Sequence, residues 1–388
     1  MKIGDDMKIK LMNQISPEGL KLLDDCFEVG EDIENEDALL VRSTSLHDYP
    51  MNANIKAIAR AGAGVNNIPI SQCSEKGIVI FNTPGANANA VKELVICGLL
   101  LSSRKIVEGI EWVKGIEKSE NLNAVVEKGK KQFVGPEIEG KTLGVVGLGA
   151  IGVAVANAAI SLGMNVLGYD PYLSLDSAWG LSKWVKKTSS LEEICQECDY
   201  ISIHAPSTKE TYHMINQTHF ASMKKGVRLL NFARADLVDS SALLEAIEKG
   251  IVEKYVTDFV VSDYFHQEHI LMLPHLGAST PESEENCARM AVKELQDYLL
   301  NGNITHSVNF PDVNAPRKTK YRICLIHKNV PNMLAQFASV FAEQKINIEH
   351  MMNSAKGEYA YTIIDTNDCV SQTLFENVEH VIRVRVIE

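Results

Sequence analysis

Gly147, Gly149 and Gly152 stand at G-x-G-x-x-G spacing, directly after the apolar run TLGVV and directly before a helical pattern that reaches residue 162. In that setting each glycine has its own task. Gly147 permits a tight turn, Gly149 lets backbone approach a pyrophosphate seated on the helix N-terminus, and Gly152 lets helix and strand pack closely. Asp170 closes the next strand pattern, NVLGYD, 18 residues past Gly152. A carboxylate there accepts hydrogen bonds from both ribose hydroxyls and repels a 2′-phosphate, so the expected cofactor is NAD, not NADP. A glycine turn without a ligand is the competing reading, and the combination of strand, glycines, helix and acid speaks against it.

Other clusters carry weaker signals. Asp263, His266, His269 and His275 can be drawn as a zinc site, since His-x-x-His on a turn brings imidazoles together. The expectation is nevertheless that no metal is held. Cys195-x-x-Cys198 lies at a helix end with no second CxxC, which points to inert thiols instead of a redox pair. Lys130 and Lys131, in KGKK, form the kind of charge cluster that usually marks a solvated loop.

The elements that must position these residues follow from length and periodicity. A chain of 388 residues is long enough for two or three domains. With 45% apolar and 23% charged residues it can build real cores, which excludes a disordered or disulfide-scaffold protein. The formal charge of -12 disfavours nucleic acid or an anionic membrane as partner. Eight cysteines without framework spacing suggest reduced thiols. The start MKIGDDMKIK has acids where a secretory signal needs an apolar run, and LVICGLLL at 94–101 is too short to cross a bilayer, so a cytoplasmic protein is expected.

Short apolar runs near residues 8, 37, 56 and 77 read as strands, with helices between them such as SPEGLKLLDDC, where Ser16 is the expected N-cap and Pro17 the first helical residue. A βαβα order implies a parallel sheet. Residues 88–115 read as one long helix. A second βα series then runs through KTLGVVGLG, NVLGYD, DYISIHAP, VRLLNFA, EKYVTDF and HILMLPHLG, enough for a doubly wound sheet. An amphipathic helix over about 280–300 is followed by a polar, proline-containing linker at 301–318, and the last 70 or so residues spell βαββαβ with a core of their own.

The motifs Arg60-Ala-Gly-Ala-Gly-Val, Asn82-Thr-Pro-Gly, His204-Ala-Pro, Asn231-Phe-Ala-Arg234 and Pro274-His275-Leu-Gly-Ala-Ser-Thr, together with the glycine turn, make the chain resemble the D-2-hydroxyacid dehydrogenases. The C-terminal unit resembles an ACT domain. The resemblance implies an α/β fold in which a Rossmann-type doubly wound NAD domain is inserted in a flavodoxin-like substrate domain, with a ferredoxin-like ACT domain at the end. The corresponding segments are 1–100 for the first part of the substrate domain, 101–277 for the NAD domain, 278–317 for the second part and linker, and 318–388 for the ACT domain. The implied activity is NAD-dependent oxidation of a phosphorylated 2-hydroxy acid, 3-phospho-D-glycerate, to 3-phosphohydroxypyruvate at the entry to serine synthesis, by a homodimer or homotetramer. Reduction of hydroxypyruvate or glyoxylate is the rival within the class. An NAD-sensing, corepressor-like protein is the rival outside it.

Such a reaction needs a base for the hydroxyl proton, a cation for the carboxylate and a placed nicotinamide. His275 is the candidate base, because imidazole titrates near neutrality. Arg234 is the candidate carboxylate clamp, since a guanidinium binds bidentately. Asp263 takes the position where the family has a glutamate that orients the histidine; it is one methylene shorter, and the stretch from Asp263 to His275 is short for the family. Matching the family also implies cofactor contacts from Thr83, Ala150, Ile151, Asp170, Ala205, Phe232, Ala233, Asp258, His275, Leu276, Gly277 and Ala278, with Asp258 meeting the carboxamide and Thr83 approaching from the other domain. Arg60 is the favoured cation for the substrate phosphate, with Lys130 and Lys131 as weaker candidates. His327, Asn329 and Asn347 match positions that bind serine in related ACT domains, although Asn332 stands where a glycine is usual.

Overall fold

Short apolar runs closed by turn residues become the first sheet. In the computed structural model, which describes residues 7–118 and 121–388, the strands are β1 (Met7–Leu11), β2 (Phe27–Gly30), β3 (Ala38–Val41), β4 (Ala57–Arg60) and β5 (Val79–Phe81). They pair in parallel in the order β2-β1-β3-β4-β5, one of the two common doubly wound orders. The first six residues of the acidic amino-terminal stretch lie outside the described residues. The edge strand β2 has no clear periodic signal, because only Phe27 of its four residues is fully buried. The helix expected after Ser16 is a single turn, Pro17–Leu20, and the Ser16 side chain makes no capping bond. Gly19 in that turn lies against the helix Pro281–Asn301, where an added Cβ would come within 2.6 Å of the Ala288 methyl.

The glycine-rich half of the chain builds a second sheet from β6 (Thr142–Val146), β7 (Asn165–Tyr169), β8 (Lys186–Lys187), β9 (Tyr200–Ile203), β10 (Val227–Asn231), β11 (Val252–Thr257) and β12 (Ile270–Met272). Its order is β12-β11-β10-β9-β6-β7-β8, all parallel. β6 sits where the strand order reverses, the position at which such sheets leave a crevice beyond their carboxyl ends. Every residue of β9 is buried, as befits a strand with both faces covered. β8 is two exposed lysines and gave no apolar signal.

The long helix expected over 88–115 is two: Ala88–Ser103 and Ile106–Lys114. The break coincides with side-chain hydrogen bonds at the end of the first helix. The hydroxyls of Ser102 and Ser103 both donate to the Leu99 carbonyl, and Ser103 also bonds the Tyr200 hydroxyl at 2.8 Å, so side chains compete with the helical ladder. The first helix packs Val91, Val95 and Leu99 against Val145, Leu230 and Val256 of the second sheet.

The last strands, β13 (Tyr321–Lys328), β14 (His350–Lys356), β15 (Tyr359–Thr366) and β16 (Val381–Ile387), form an antiparallel sheet ordered β14-β15-β13-β16 in a βαββαβ unit. The period of two divides β13 between two cores. Ile323 and Leu325 pack with Phe337, Phe341 and Phe375 of the unit's own helices, while Cys324 and Ile326 join Leu295 and Tyr298 and the first sheet.

Residues 301–318, expected to be a linker, are built into this packing. Phe310 is fully buried. The Asn309 amide donates to the Ile78 carbonyl at 2.9 Å, and its oxygen accepts the Ile80 N–H at 2.9 Å. Polar residues here satisfy buried backbone, a role that a hydropathy pattern cannot register. The chain thus divides into two compact units, one made of the residues up to Asn87 with Pro281–Glu388 and the other of Ala88–Thr280. Among the described residues no helix is long and apolar enough to cross a membrane.

Candidate functional site

The glycine turn follows β6. Gly147 has φ +90, and a Cβ there would lie 2.7 Å from the His204 carbonyl carbon, so no other residue fits without strain. Gly152 is closer still: an added Cβ would stand 1.9 Å from the Gly147 carbonyl oxygen. Gly149, the N-cap of the helix Ala150–Ser161, faces open space instead. Room over Gly149, beside the unpaired first-turn N–H groups that begin at Ala150 and Ile151, fits a pyrophosphate.

Asp170 follows β7, and backbone fixes its orientation. One carboxylate oxygen accepts the Leu148 N–H at 2.8 Å and the other the Tyr172 N–H at 2.8 Å. Each oxygen keeps a lone pair for a ribose hydroxyl. Asp170→Ala is expected to lower the ratio of kcat/KM for NAD over NADP by at least about tenfold, because like-charge contacts cost several kcal/mol. An unchanged ratio would remove Asp170 from cofactor selection.

The remaining residues of this unit gather at the carboxyl ends of β9 to β12. After β9, the His204 ring is buried with its Nε2 2.9 Å from the Ser202 hydroxyl, and burial pushes it down to about 4, so it is neutral at physiological pH; Ala205 comes next. After β10, the Asn231 amide donates to the Arg234 carbonyl at 2.8 Å and to the Tyr255 hydroxyl at 3.2 Å, while its oxygen accepts the Ala233 N–H at 3.2 Å. This fully buried brace sets the turn that carries Arg234. Arg234 itself is exposed and spends one N–H on the Ala233 carbonyl at 2.6 Å, leaving the rest of its fork for a ligand. The Phe232 ring is buried against Gly98, where a Cβ would meet it at 2.8 Å, so only the backbone of Phe232 is left to meet a cofactor.

Asp258 follows β11 and is 1% exposed. One of its oxygens accepts the Gly277 N–H at 3.1 Å; the other is buried with no protein partner. Burial holds the carboxyl above its usual range, while the charge of His275, the Gly277 N–H and the charge of Arg234 pull it back. A buried acceptor left unpaired costs about 1–3 kcal/mol, so this oxygen is suited to a donor such as a carboxamide NH2. His275, Leu276, Gly277 and Ala278 form the loop after β12. The His275 ring is exposed and meets Phe259 edge-on at 5.1 Å.

Asp263 does not reach His275. It lies exposed in the turn Ser262–Tyr264, accepts the Ser262 hydroxyl at 3.2 Å and forms no ion pair with the histidine. Tyr264 pins that turn, its hydroxyl 2.9 Å from Ser240 and its ring edge-on to Tyr255 at 5.7 Å. The carboxylate whose charge acts with His275 is Asp258. The alternative metal set is likewise scattered: His269 precedes β12 and bonds the Glu253 carbonyl at 2.8 Å, whereas His275 follows that strand. No grouping of three His, Cys, Asp or Glu suited to a metal occurs among the described residues. Cys195 and Cys198 are free and buried, and burial raises their thiols to about 11 and about 12, which makes them inert. Lys130 is paired with Glu127 at 2.5 Å on the exposed turn Lys130–Phe133, which Lys131 shares.

In the other unit, Arg60 ends β4 and Thr83 follows β5. The Thr83 N–H donates to the Gly62 carbonyl at 3.2 Å and the Asn82 amide to the Ala63 carbonyl at 2.6 Å, which ties the two loops together. The Arg60 guanidinium folds over Gly62, where an added Cβ would lie 2.5 Å from it. The Thr83 hydroxyl is buried without a protein partner. In the C-terminal unit, His327 is 2% exposed with Nδ1 2.8 Å from the Lys328 carbonyl and Nε2 2.9 Å from the Thr362 hydroxyl, and burial lowers it. Asn329 donates to the Gly357 carbonyl at 3.1 Å and Asn347 to Glu349 at 2.9 Å. Asn332 adopts φ +72, the left-handed region that asparagine tolerates better than most residues.

Sequence reasoning gave no separate role to Asn231 and Tyr255. A polar residue closing the apolar strand VRLLN was the available signal.

The description "D-isomer specific 2-hydroxyacid dehydrogenase, NAD binding domain" matches residues 97–279. The chain is 31% identical over 343 residues to "D-3-phosphoglycerate dehydrogenase" of Haemophilus influenzae, covering 84% of this chain and 79% of that protein. It is 29% identical to "Putative D-3-phosphoglycerate dehydrogenase" of Schizosaccharomyces pombe, over 96% of this chain and 84% of that protein. Among solved structures it is similar to the NAD+-bound 3-phosphoglycerate dehydrogenase of Entamoeba histolytica, with a TM-score of 0.59 and 26% identity over 78% of this chain and 99% of that one.

Proposed function

The chain belongs to the D-isomer-specific 2-hydroxyacid dehydrogenases, and from that membership we propose that it oxidises 3-phospho-D-glycerate to 3-phosphohydroxypyruvate with NAD. The observation that carries this reading is the convergence of Arg234, Asp258 and His275 at the ends of β10, β11 and β12, in the same sheet as the glycine turn. Bound NAD supplies the hydride acceptor. The chain does the rest. Gly149 and the following helix hold the pyrophosphate, Asp170 the ribose, and the free oxygen of Asp258 the carboxamide, with backbone at Ala205, Phe232 and Ala233 and the loop His275–Ala278 closing around it. Arg234 clamps the substrate carboxylate, which aims the C2 hydroxyl at His275. His275 removes that proton as the C2–H bond breaks. Arg60 holds the substrate phosphate, Thr83 contributes its hydroxyl to the ligands, and Lys130 and Lys131 are supplementary cations. The test is NADH formation from 3-phospho-D-glycerate measured beside D-glycerate and D-lactate.

The enzyme acts in the cytoplasm as a homo-oligomer in which the C-terminal βαββαβ unit serves as an ACT-type assembly domain. Eight free cysteines support a reducing compartment. Serine regulation has less support, because His327 spends both ring nitrogens inside the chain and Asn329 and Asn347 each give one amide N–H to a neighbour. L-serine up to millimolar concentration is expected to leave the initial NADH-forming rate unchanged. Inhibition that disappears in Asn347→Ala would restore these residues to a regulatory site.

A further inference from the structure

Two half-buried guanidinium groups of the C-terminal sheet form no ion pair among the described residues. Arg383 and Arg385 stand two residues apart on the edge strand β16 and therefore share a face. Their donors go to neutral carbonyls: Arg383 to Ile55 and, at 3.0 Å, to Ala53; Arg385 to Tyr298 at 3.2 Å and Leu299 at 2.8 Å. Arg385 also lies 4.6 Å over the Tyr298 ring. No carboxylate among the described residues acts on either group. Burial pushes Arg383 below its ordinary value, and the like charge of Arg385 adds to that push.

A cavity of about 370 Å³ opens beside them, lined also by Lys56, Asn54, Gln372 and Glu376. Lys56 is paired with Asp37, and Glu376 accepts the Gln372 amide at 3.4 Å. The local charge therefore stays positive in a chain whose net charge is -12. Each guanidinium has five N–H donors, and carbonyls take two of them on each. The volume is at the lower end of small-molecule sites.

We propose that this cavity binds a small, multiply charged oxyanion, held by Arg383 and Arg385 at the seam between the C-terminal sheet and the first sheet. The two like charges on one face repel each other, and a bound anion replaces part of that repulsion with attraction. The ligand would thereby link the last strand to the segment before β4.

The test is the melting temperature of the full chain in inorganic phosphate, with a parallel series in malonate, each at constant ionic strength against sodium chloride. Phosphate at about 10 mM is expected to raise the Tm of the parent by about 2 °C, through preferential binding to the folded state. Arg383→Gln should lose the response. Asn54→Asp should lose it too, since it places a fixed carboxylate in the cavity while leaving both arginine–carbonyl contacts intact, and it decides the matter if Arg383→Gln does not fold. Arg60→Gln should keep the response, which separates this cavity from the substrate site. A response in malonate as well assigns oxyanions generally, and one in phosphate alone assigns phosphates; both support the site. No response in the parent, an equal response in Asn54→Asp, or a response lost in Arg60→Gln would overturn it.

Discussion

His275→Ala lowers kcat by at least about 100-fold, the scale of losing a positioned general base. The melting temperature should hardly change, because the ring is exposed and touches the protein through one edge contact with Phe259. The competing reading, an ordinary structural histidine, predicts the reverse: activity kept and stability lost. The carboxylate partner is tested in the same experiment. At saturating NAD, Asp258→Asn should move the acidic limb of the kcat/KM profile to lower pH, since removing a nearby anion disfavours imidazolium. Asp263→Asn should leave that limb in place, because its carboxylate is spent on Ser262 and makes no ion pair with the histidine. A limb that moves with Asp263 and stays with Asp258 would give the family's usual arrangement back to Asp263, with the turn Ser262–Tyr264 shifting when substrate binds.

Arg234→Ala is expected to reduce kcat/KM by about 1,000-fold, which corresponds to about 4 kcal/mol, the scale of removing one preorganised electrostatic donor from an active site. Arg234→Lys should recover only about tenfold of this, because a point charge replaces a bidentate fork. The affinity for NAD, read by fluorescence titration, should change little. If Arg234 were merely a surface cation, even alanine would leave activity near that of the parent. Its guanidinium is paired with no carboxylate among the described residues, and its turn is held by Asn231, so the side chain is presented without being consumed.

The parts of the fold legible from residues alone are those governed by local requirements. The turn at Gly147 and Gly152 must have glycine whatever surrounds it, because backbone atoms occupy the space a Cβ would need. Parallel strands buried on both faces read as continuous apolar runs, so β6, β9, β10 and β11 were recognisable. What escaped depends on partners distant in the chain. β2 and β8 are edge strands defined by their neighbours' hydrogen bonds, with few or no buried residues of their own. The helix break after Ser103 coincides with a hydrogen bond to the hydroxyl of Tyr200, 97 residues away. Asn309 looked like a linker residue because its function is to satisfy the backbone of β5.

The site shows the same division. Asp170, Asp258, Arg234 and His275 each follow a strand, so their placement at the sheet's carboxyl end is inherited from the fold. Asp263 lies on a turn whose position is set by Tyr264 packing on Tyr255 and Ser240, and spacing alone carried no information about that anchor. His327 is the counterpart in the C-terminal unit. A polar residue at a strand end suggested a ligand, and the structure spends both ring nitrogens on its neighbours.

The most direct test of the central claim is the initial rate of NADH formation with 3-phospho-D-glycerate, D-glycerate and D-lactate, each at equal concentration with NAD in excess. The account predicts that 3-phospho-D-glycerate gives the highest kcat/KM, by at least about tenfold over D-glycerate, since a phosphate held by a guanidinium is worth upwards of about 1.4 kcal/mol. Equal or faster turnover of D-glycerate or D-lactate would contradict the assigned substrate, and no NADH from any of the three would contradict the dehydrogenase itself.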